Sequence, residues 1–316
     1  MTLRSRPKSA GIATSVAAFV DAYGDGVRFM SRPSPRLSAA LLISPIGFGV
    51  STETCADNVY MDVDGTVDVE RAHAQHQGLV RRLGDLGVPV VLFPGSEGMP
   101  DAVFPNNAFA TVPGALIIGS MKHPSRRRET EREDVRSFFS ETLGYELRDL
   151  SGIDGVAELT GSLIIDRMRR VGFCGTSGRT DEVGCEAMHE AFDLDLTLRF
   201  DLVPSEYHTN IVLSVLSGRA ALMYPPSFVD ETVPEAIRQV YGHGAIELCR
   251  EEKERFAGNC IAVTEKDVLF SKTALDVLRS DTRDSLESMD FRLHGVQVDE
   301  FEKAGGSLRC LIAEVF

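Results

Sequence analysis

The chain is short of basic residues: 33 Lys and Arg stand against 47 Asp and Glu, a formal charge of −14 over 316 residues. A surface that neutralises nucleic-acid phosphates needs the opposite sign, so nucleic acid is set aside as a partner. Long apolar runs are missing too. None approaches the ~20 residues of a membrane-spanning helix, and with 43% hydrophobic residues the chain reads as soluble and able to bury a core. No CxxC pair occurs among Cys55, Cys174, Cys185, Cys249, Cys260 and Cys310. Scattered thiols without a small secreted framework point to a reduced, cytoplasmic chain rather than a disulfide scaffold. Neither GxGxxG nor GxxxxGK[ST] follows a strand-like run, so nucleotide binding has no support.

What is present is a recurrence of short apolar runs of strand length: AALLIS, VPVVLF, ALIIG, SLIID, NIVLSVL, AALMY, NCIAVT, VLFS and RCLIAEVF. Charged amphipathic stretches lie between them, such as VDVERAHAQHQGLVRRLGDLG and RETEREDVRSFFSETLG, each ending near a glycine that can stop a helix. The pattern is α with β throughout. No Pro-rich or Gly/Ser linker divides it and no clean internal repeat is visible, so residues 39–316 read as one domain. Residues 1–38 open basic and rich in Ser and Ala, with no acid before Asp21. A poorly ordered or partly helical leader is the expectation there, ahead of a transit peptide.

Five places could carry chemistry. His73 and His76 lie with Glu70 at spacings of three, but HExxH is absent and Arg71, Arg81 and Arg82 are close by, so a solvated helix face is expected rather than a metal site. His208 opens an apolar strand in SEYHTNIVLSVL, flanked by Tyr207, Thr209 and Asn210. Alone it reads as a histidine at the core's edge; a converging nucleophile and carboxylate would change that. Glu158 precedes Thr160 and Gly161 at the mouth of a strand, where a desolvated carboxylate seeks a cation or hydrogen-bond donors. In PDAVFPNNAFAT, Asn106 and Asn107 form a turn between Phe104 and Phe109 that aims inward. Last, Gly305 and Gly306 lead to Cys310 at a strand start, a buried inert thiol when taken alone and an accessible one if the glycines bring it to a site.

Taken in order, DAVFPNN, ELTGSLIIDR, YHTN, FAGN and GGSLRC resemble the amidinotransferase and arginine deiminase superfamily, the penteins, most closely its citrulline-utilisation hydrolase branch. The likeness runs from about residue 40 to the C-terminus. It implies an α/β propeller of five αβ modules with pseudo-fivefold symmetry and an active site on the central axis. Cys310 would attack the carbon of a guanidino or ureido group. His208 would protonate the departing amine and then activate water, and Glu158 would orient the substrate nitrogens. Asn107, Asn210 and Phe104 would line the substrate. TSGRTDE is similar to the SxRT segment of dimethylarginine hydrolases, which makes Arg179 a grip for an α-carboxylate; HPSRRRE offers Arg127 for the same task.

These roles suit the chemistry. A planar carbon bearing nitrogens is a poor electrophile, and covalent attack by a thiolate divides its hydrolysis into two easier steps. An imidazole can act as acid and base in turn. The resemblance calls for no metal or organic cofactor; it implies a small-molecule substrate and leaves a homodimer open. Three departures stand out. Relatives that act on free arginine carry carboxylates where this chain has Asn107 and Asn210, and amides suit a neutral ureido group at least as well. Leu159 replaces a usual glycine beside Glu158, and Phe109 stands where relatives often have Trp. An amidinotransferase, in which an amine replaces water, shares the same residues and stays open as an alternative, as does a relative that only binds arginine-like ligands.

Overall fold

The computed structural model describes residues 11–24, 37–62 and 66–316. Five small sheets carry the fold, and four of them have three strands. In four of the five, a hairpin is followed by a parallel strand. Phe109–Val112 pairs antiparallel with Ala115–Ile118, which pairs parallel with Glu146–Asp149. Leu163–Asp166, Val171–Thr176 and Leu196–Asp201 repeat the arrangement. So do Leu213–Leu216, Ala220–Met223 and Ala245–Glu247, and then Ile261–Ala262, Asp267–Ser271 and Arg292–Val296. The fifth sheet joins the two ends of the domain: Ala313–Val315 pairs antiparallel with Ala39–Ile43, which pairs parallel with Val90–Phe93.

The middle strand of each sheet is bonded on both edges and, in Ala39–Ile43, Ala115–Ile118 and Ala220–Met223, buried at every residue. This is why those segments read as unbroken apolar runs rather than alternating ones. Helices make the crossovers to the parallel strands. Val69–Asp85 starts where the Asp68 side chain accepts from the Arg71 N–H, and it buries Ala72, His76, Leu79 and Leu83 at helical spacing. The solvated face expected around His73 and His76 is therefore corrected at His76. That residue is turned into the core beside Phe301, and burial pulls its pKa down to about 4. No group of His, Cys, Asp and Glu suited to a metal occurs among the described residues.

The leader expected over residues 1–38 is in part docked structure. Gly11–Ala13 adds a parallel fourth strand to Leu196–Asp201, and Val16–Gly24 is a helix whose Phe19 is fully buried, 5.8 Å from the Phe173 ring. Burying such a ring contributes about 2–3 kcal/mol, enough to hold a nine-residue helix that would not persist alone. The remainder of that expectation falls on residues 1–10 and 25–36, outside the described residues.

Candidate active site

The first strand of each hairpin, and Ala313–Val315, is preceded by one tight turn: Pro105–Asn107, Leu159–Ser162, Thr209–Ile211, the turn at 255–258, and Leu308–Leu311. Asn107, Gly161, Asn210, Asn259 and Cys310 lie in or beside these turns, two or three residues before the strands begin. Side chains tie turn to turn. Thr160 Oγ1 donates to the Asn106 carbonyl at 3.0 Å, and Asn210 Nδ2 to the Thr160 carbonyl at 3.3 Å. Asn259 Nδ2 donates to the Asn210 carbonyl at 2.8 Å, and the Arg309 N–H donates to Asn259 Oδ1 at 3.0 Å. Five motifs scattered over more than two hundred residues thus meet at one place.

The glycines before Cys310 allow the last approach. Gly305 has φ +74° and its carbonyl accepts from the Tyr207 hydroxyl at 2.6 Å; a side chain at Gly306 would meet the Phe104 ring at 2.8 Å. Cys310 lies buried, its Sγ 3.4 Å from Asn259 Nδ2 and 3.7 Å from Asn210 Nδ2. Burial pushes the thiol pKa up, against the Asn259 hydrogen bond and the charge of Arg309. Cys310 opens onto a small cavity with Phe104, Asn107, Asp101, Arg126, Arg179 and Tyr207.

His208 and Glu158 are both fully buried, and His208 Nε2 lies 2.8 Å from Glu158 Oε2. Burial alone would raise the Glu158 pKa, but Arg179 at 3.2 Å and the bond from His208 hold it well below the carboxylate range. An ionised Glu158 can only accept, so His208 carries its proton on Nε2 and leaves Nδ1 as a lone pair. Burial also lowers the His208 pKa, so the ring is neutral near pH 7. Among the described residues Nδ1 has no partner, and neither has the buried Oδ1 of Asn107. The two atoms converge on Gly161, where a side chain would lie 2.5 Å from Asn107 Oδ1 and 2.9 Å from His208 Nδ1. Leu159 stands at φ +27°, a backbone region that favours glycine, and is held there by complete burial.

Two of the sequence expectations need correction. Arg127 points outward, giving Nε and Nη2 to the carbonyls of Met121 and Lys122, while its neighbour Arg126 turns in, pairs with Glu129 and lines the cavity. Arg179 lines the cavity as expected, but its fork is spent on Asp57, with Nε and Nη2 both donating, and so is not free for a bidentate grip. The sequence reading missed Thr54, Asp57 and Asn58, which come from a segment without a periodic signal. It also passed over Asp101 and Asn259, although both sit in motifs already singled out. Asp101 accepts from the Thr54 hydroxyl at 3.0 Å, and burial raises its pKa.

A model of the family described as N,N dimethylarginine dimethylhydrolase, eukaryotic, matches residues 44–316. An uncharacterised protein of Caenorhabditis elegans is 27% identical over 256 residues, 78% of this chain and 85% of that protein. The N(G),N(G)-dimethylarginine dimethylaminohydrolase of Mycobacterium tuberculosis is 25% identical over 300 residues, 93% of this chain and 92% of that one. Among solved structures, the substrate-bound N-terminal domain of an arginine dihydrolase from Cyanobacteria superposes with a TM-score of 0.76 at 22% identity, covering 87% of this chain and 97% of that domain.

Proposed function

The chain belongs to the N,N dimethylarginine dimethylhydrolase family, and on that premise we propose which member of its substrate class it takes. Its relatives make it a cysteine-dependent hydrolase of C–N bonds that acts on the guanidino group of an arginine derivative. Our reading is a guanidino group whose terminal nitrogens are unsubstituted, free arginine ahead of dimethylarginine. One observation carries it. Asn107 Oδ1 is a buried acceptor without a partner among the described residues, and Asn107 lines the cavity onto which Cys310 opens. Leaving that acceptor unsatisfied costs about 1–3 kcal/mol, and an N–H-bearing terminal nitrogen satisfies it, whereas a dimethylated nitrogen turns a methyl toward it. Asp101, Arg126 and Arg179 line the same cavity and bring both signs of charge to an amino-acid head group.

In this mechanism His208 Nδ1 takes the Cys310 proton, helped by a cationic guanidinium that favours thiolate beside it. Sγ bonds to the guanidino carbon, one C–N bond breaks, and the departing nitrogen takes the proton from His208 and leaves as ammonia. Water then gives a proton to His208 and attacks the same carbon. The C–S bond breaks, the thiolate is restored, and a ureido product remains. Glu158 orients the imidazole and steadies its charge. The repeated sheets and the linked turns support a five-module propeller with pseudo-fivefold symmetry and this site on its axis.

The amides Asn107 and Asn210 favour a second reading, a neutral ureido substrate, because neither adds a carboxylate for a guanidinium. Measuring kcat/KM for arginine, citrulline and methylated arginines, with product identification, decides between them. Arginine is expected to lead by roughly tenfold or more. A preference for dimethylarginine with release of dimethylamine sinks the reading, citrulline as the better substrate supports the second, and turnover only with an added amine acceptor would mean an amidinotransferase.

A further inference from the structure

Behind the nucleophile lies a second cavity, of about 730 Å³, that shares no lining residue with the one in front. Its walls come from the first strands of three sheets, through Ile164, Leu213 and Ile261, and Thr160 and Asn210 also line it. Asn210 Nδ2 is 3.7 Å from Cys310 Sγ, so a single layer of side chains separates the cavity from the thiol.

Charge sets this cavity apart. Arg167, Arg219, Lys266, Arg292 and Arg309 line it against only Glu265 and Glu314, in a chain of formal charge −14. Lys266 and Arg292 are neutralised from outside the lining by Asp290 and Asp267. Arg219 donates to the carbonyls of Met289 and Glu265, which carry no charge. Arg167 and Arg309 share one carboxylate, Glu314, at 3.4 and 3.0 Å. Two largely buried guanidiniums on one carboxylate leave positive charge uncompensated where the dielectric is low. Arg167 also stacks 3.9 Å from the centre of the Phe316 ring, and burial pulls its pKa down against the attraction of Glu314.

We propose that this rear cavity is a regulatory site for a small organic carboxylate with a short apolar chain, its carboxylate on Arg167 and Arg309 and its chain along Leu213, Ile261 and Val263. A bare inorganic anion leaves those apolar walls unused, and a zwitterion brings an ammonium toward further cations. Binding reaches the thiol through Arg309, the residue before Cys310, whose N–H is held by Asn259 Oδ1. The Arg309 charge is one of the influences that favour thiolate. A carboxylate bound there cancels part of it, so the thiol ionises later and reacts more slowly.

Hexanoate is a suitable probe, with the full chain studied by calorimetry and by iodoacetamide alkylation of Cys310 near neutral pH. Hexanoate is expected to bind and to slow alkylation in the wild type. Arg167→Met should weaken binding by roughly tenfold or more and abolish the slowing that added hexanoate causes. Val263→Trp, which fills the apolar wall and keeps both arginines, is expected to abolish binding as well. The proposal is overturned if hexanoate binds both variants as it binds the wild type, if it does not bind the wild type, or if Arg126→Ala weakens its binding, which places it in the front cavity. Alkylation reads the thiol directly, so this outcome is independent of whether arginine or a urea proves to be the substrate.

Discussion

The cavities on either side of Asn210 use charge in opposite ways. In front, the ionised groups are matched: Glu158 with Arg179, Arg179 with Asp57, Arg126 with Glu129. The unmet demand there sits on a neutral acceptor, Asn107 Oδ1. Behind, the unmet demand is a charge, two arginines on one carboxylate. The difference separates two kinds of recognition. A matched site with an unpartnered acceptor selects by the direction of N–H groups, and a cation-rich cavity selects by sign.

The largest test of this contrast is Cys310→Ala, which should remove turnover by more than roughly 10³-fold. It should also end labelling by an amidine electrophile. Cys260, whose thiol burial pushes up to about 12, should stay unlabelled in both proteins when mass spectrometry locates the adduct. Next comes Glu158→Gln, expected to lower kcat by roughly 10²-fold or more and to destabilise by about 3 kcal/mol, because it strips a buried partner from Arg179. Glu158 has a folded pKa below its ordinary 4.5. Its stabilisation is therefore full above that value and fades as pH falls, and the melting temperatures of wild type and variant should converge in acid.

A smaller effect is read from pH alone. With burial holding the Cys310 pKa above its ordinary value, the alkylation rate of the free enzyme should climb about tenfold per pH unit through neutrality without levelling. A plateau near neutral pH would mean a thiolate already formed at rest. The smallest is a paired comparison on one helix. Arg126→Ala should raise KM and strand Glu129, whose pKa burial already pushes up to about 7. The exposed Arg127→Ala should leave kinetics unchanged and stability within ~0.5 kcal/mol.

All nine apolar runs picked out in the sequence fall on strands, and those over Ala39–Ile43, Ala115–Ile118 and Ala220–Met223 are apolar throughout because every residue is buried. The strands that went unseen include Glu146–Asp149 and Arg292–Val296, which lie at sheet edges with polar, partly exposed residues and so leave no continuous signal. The stretch RETEREDVRSFFSETLG reads as one helix, but the chain breaks it into Pro124–Thr130, Glu133–Ser137 and Phe138–Thr142. No repeat is visible in the sequence, although the same hairpin-plus-parallel arrangement recurs four times and Ala313–Val315 with Ala39–Ile43 and Val90–Phe93 repeats its pairing pattern. Pairing geometry constrains the backbone, and many different apolar side chains can satisfy it.

In the site, Cys310, His208, Glu158 and Asn107 could be picked from sequence because the motifs that hold them stand together in the order of a known superfamily, whereas each taken alone reads as structural. Asp57 and Thr54 could not, since the segment that carries them is placed by what it lands on. The order of residues by itself determined which turn carries the thiol and that an imidazole and a carboxylate accompany it. Only the tertiary structure decided that Arg126 rather than Arg127 faces the cavity, that Asp57 holds the fork of Arg179, and that Arg167 and Arg309 share one carboxylate. Neighbours on a helix point about 100° apart, and which of them turns inward depends on the packing of the whole element. Ion pairs between residues more than a hundred positions apart, such as Arg179 with Asp57, form only once the sheets have brought them together.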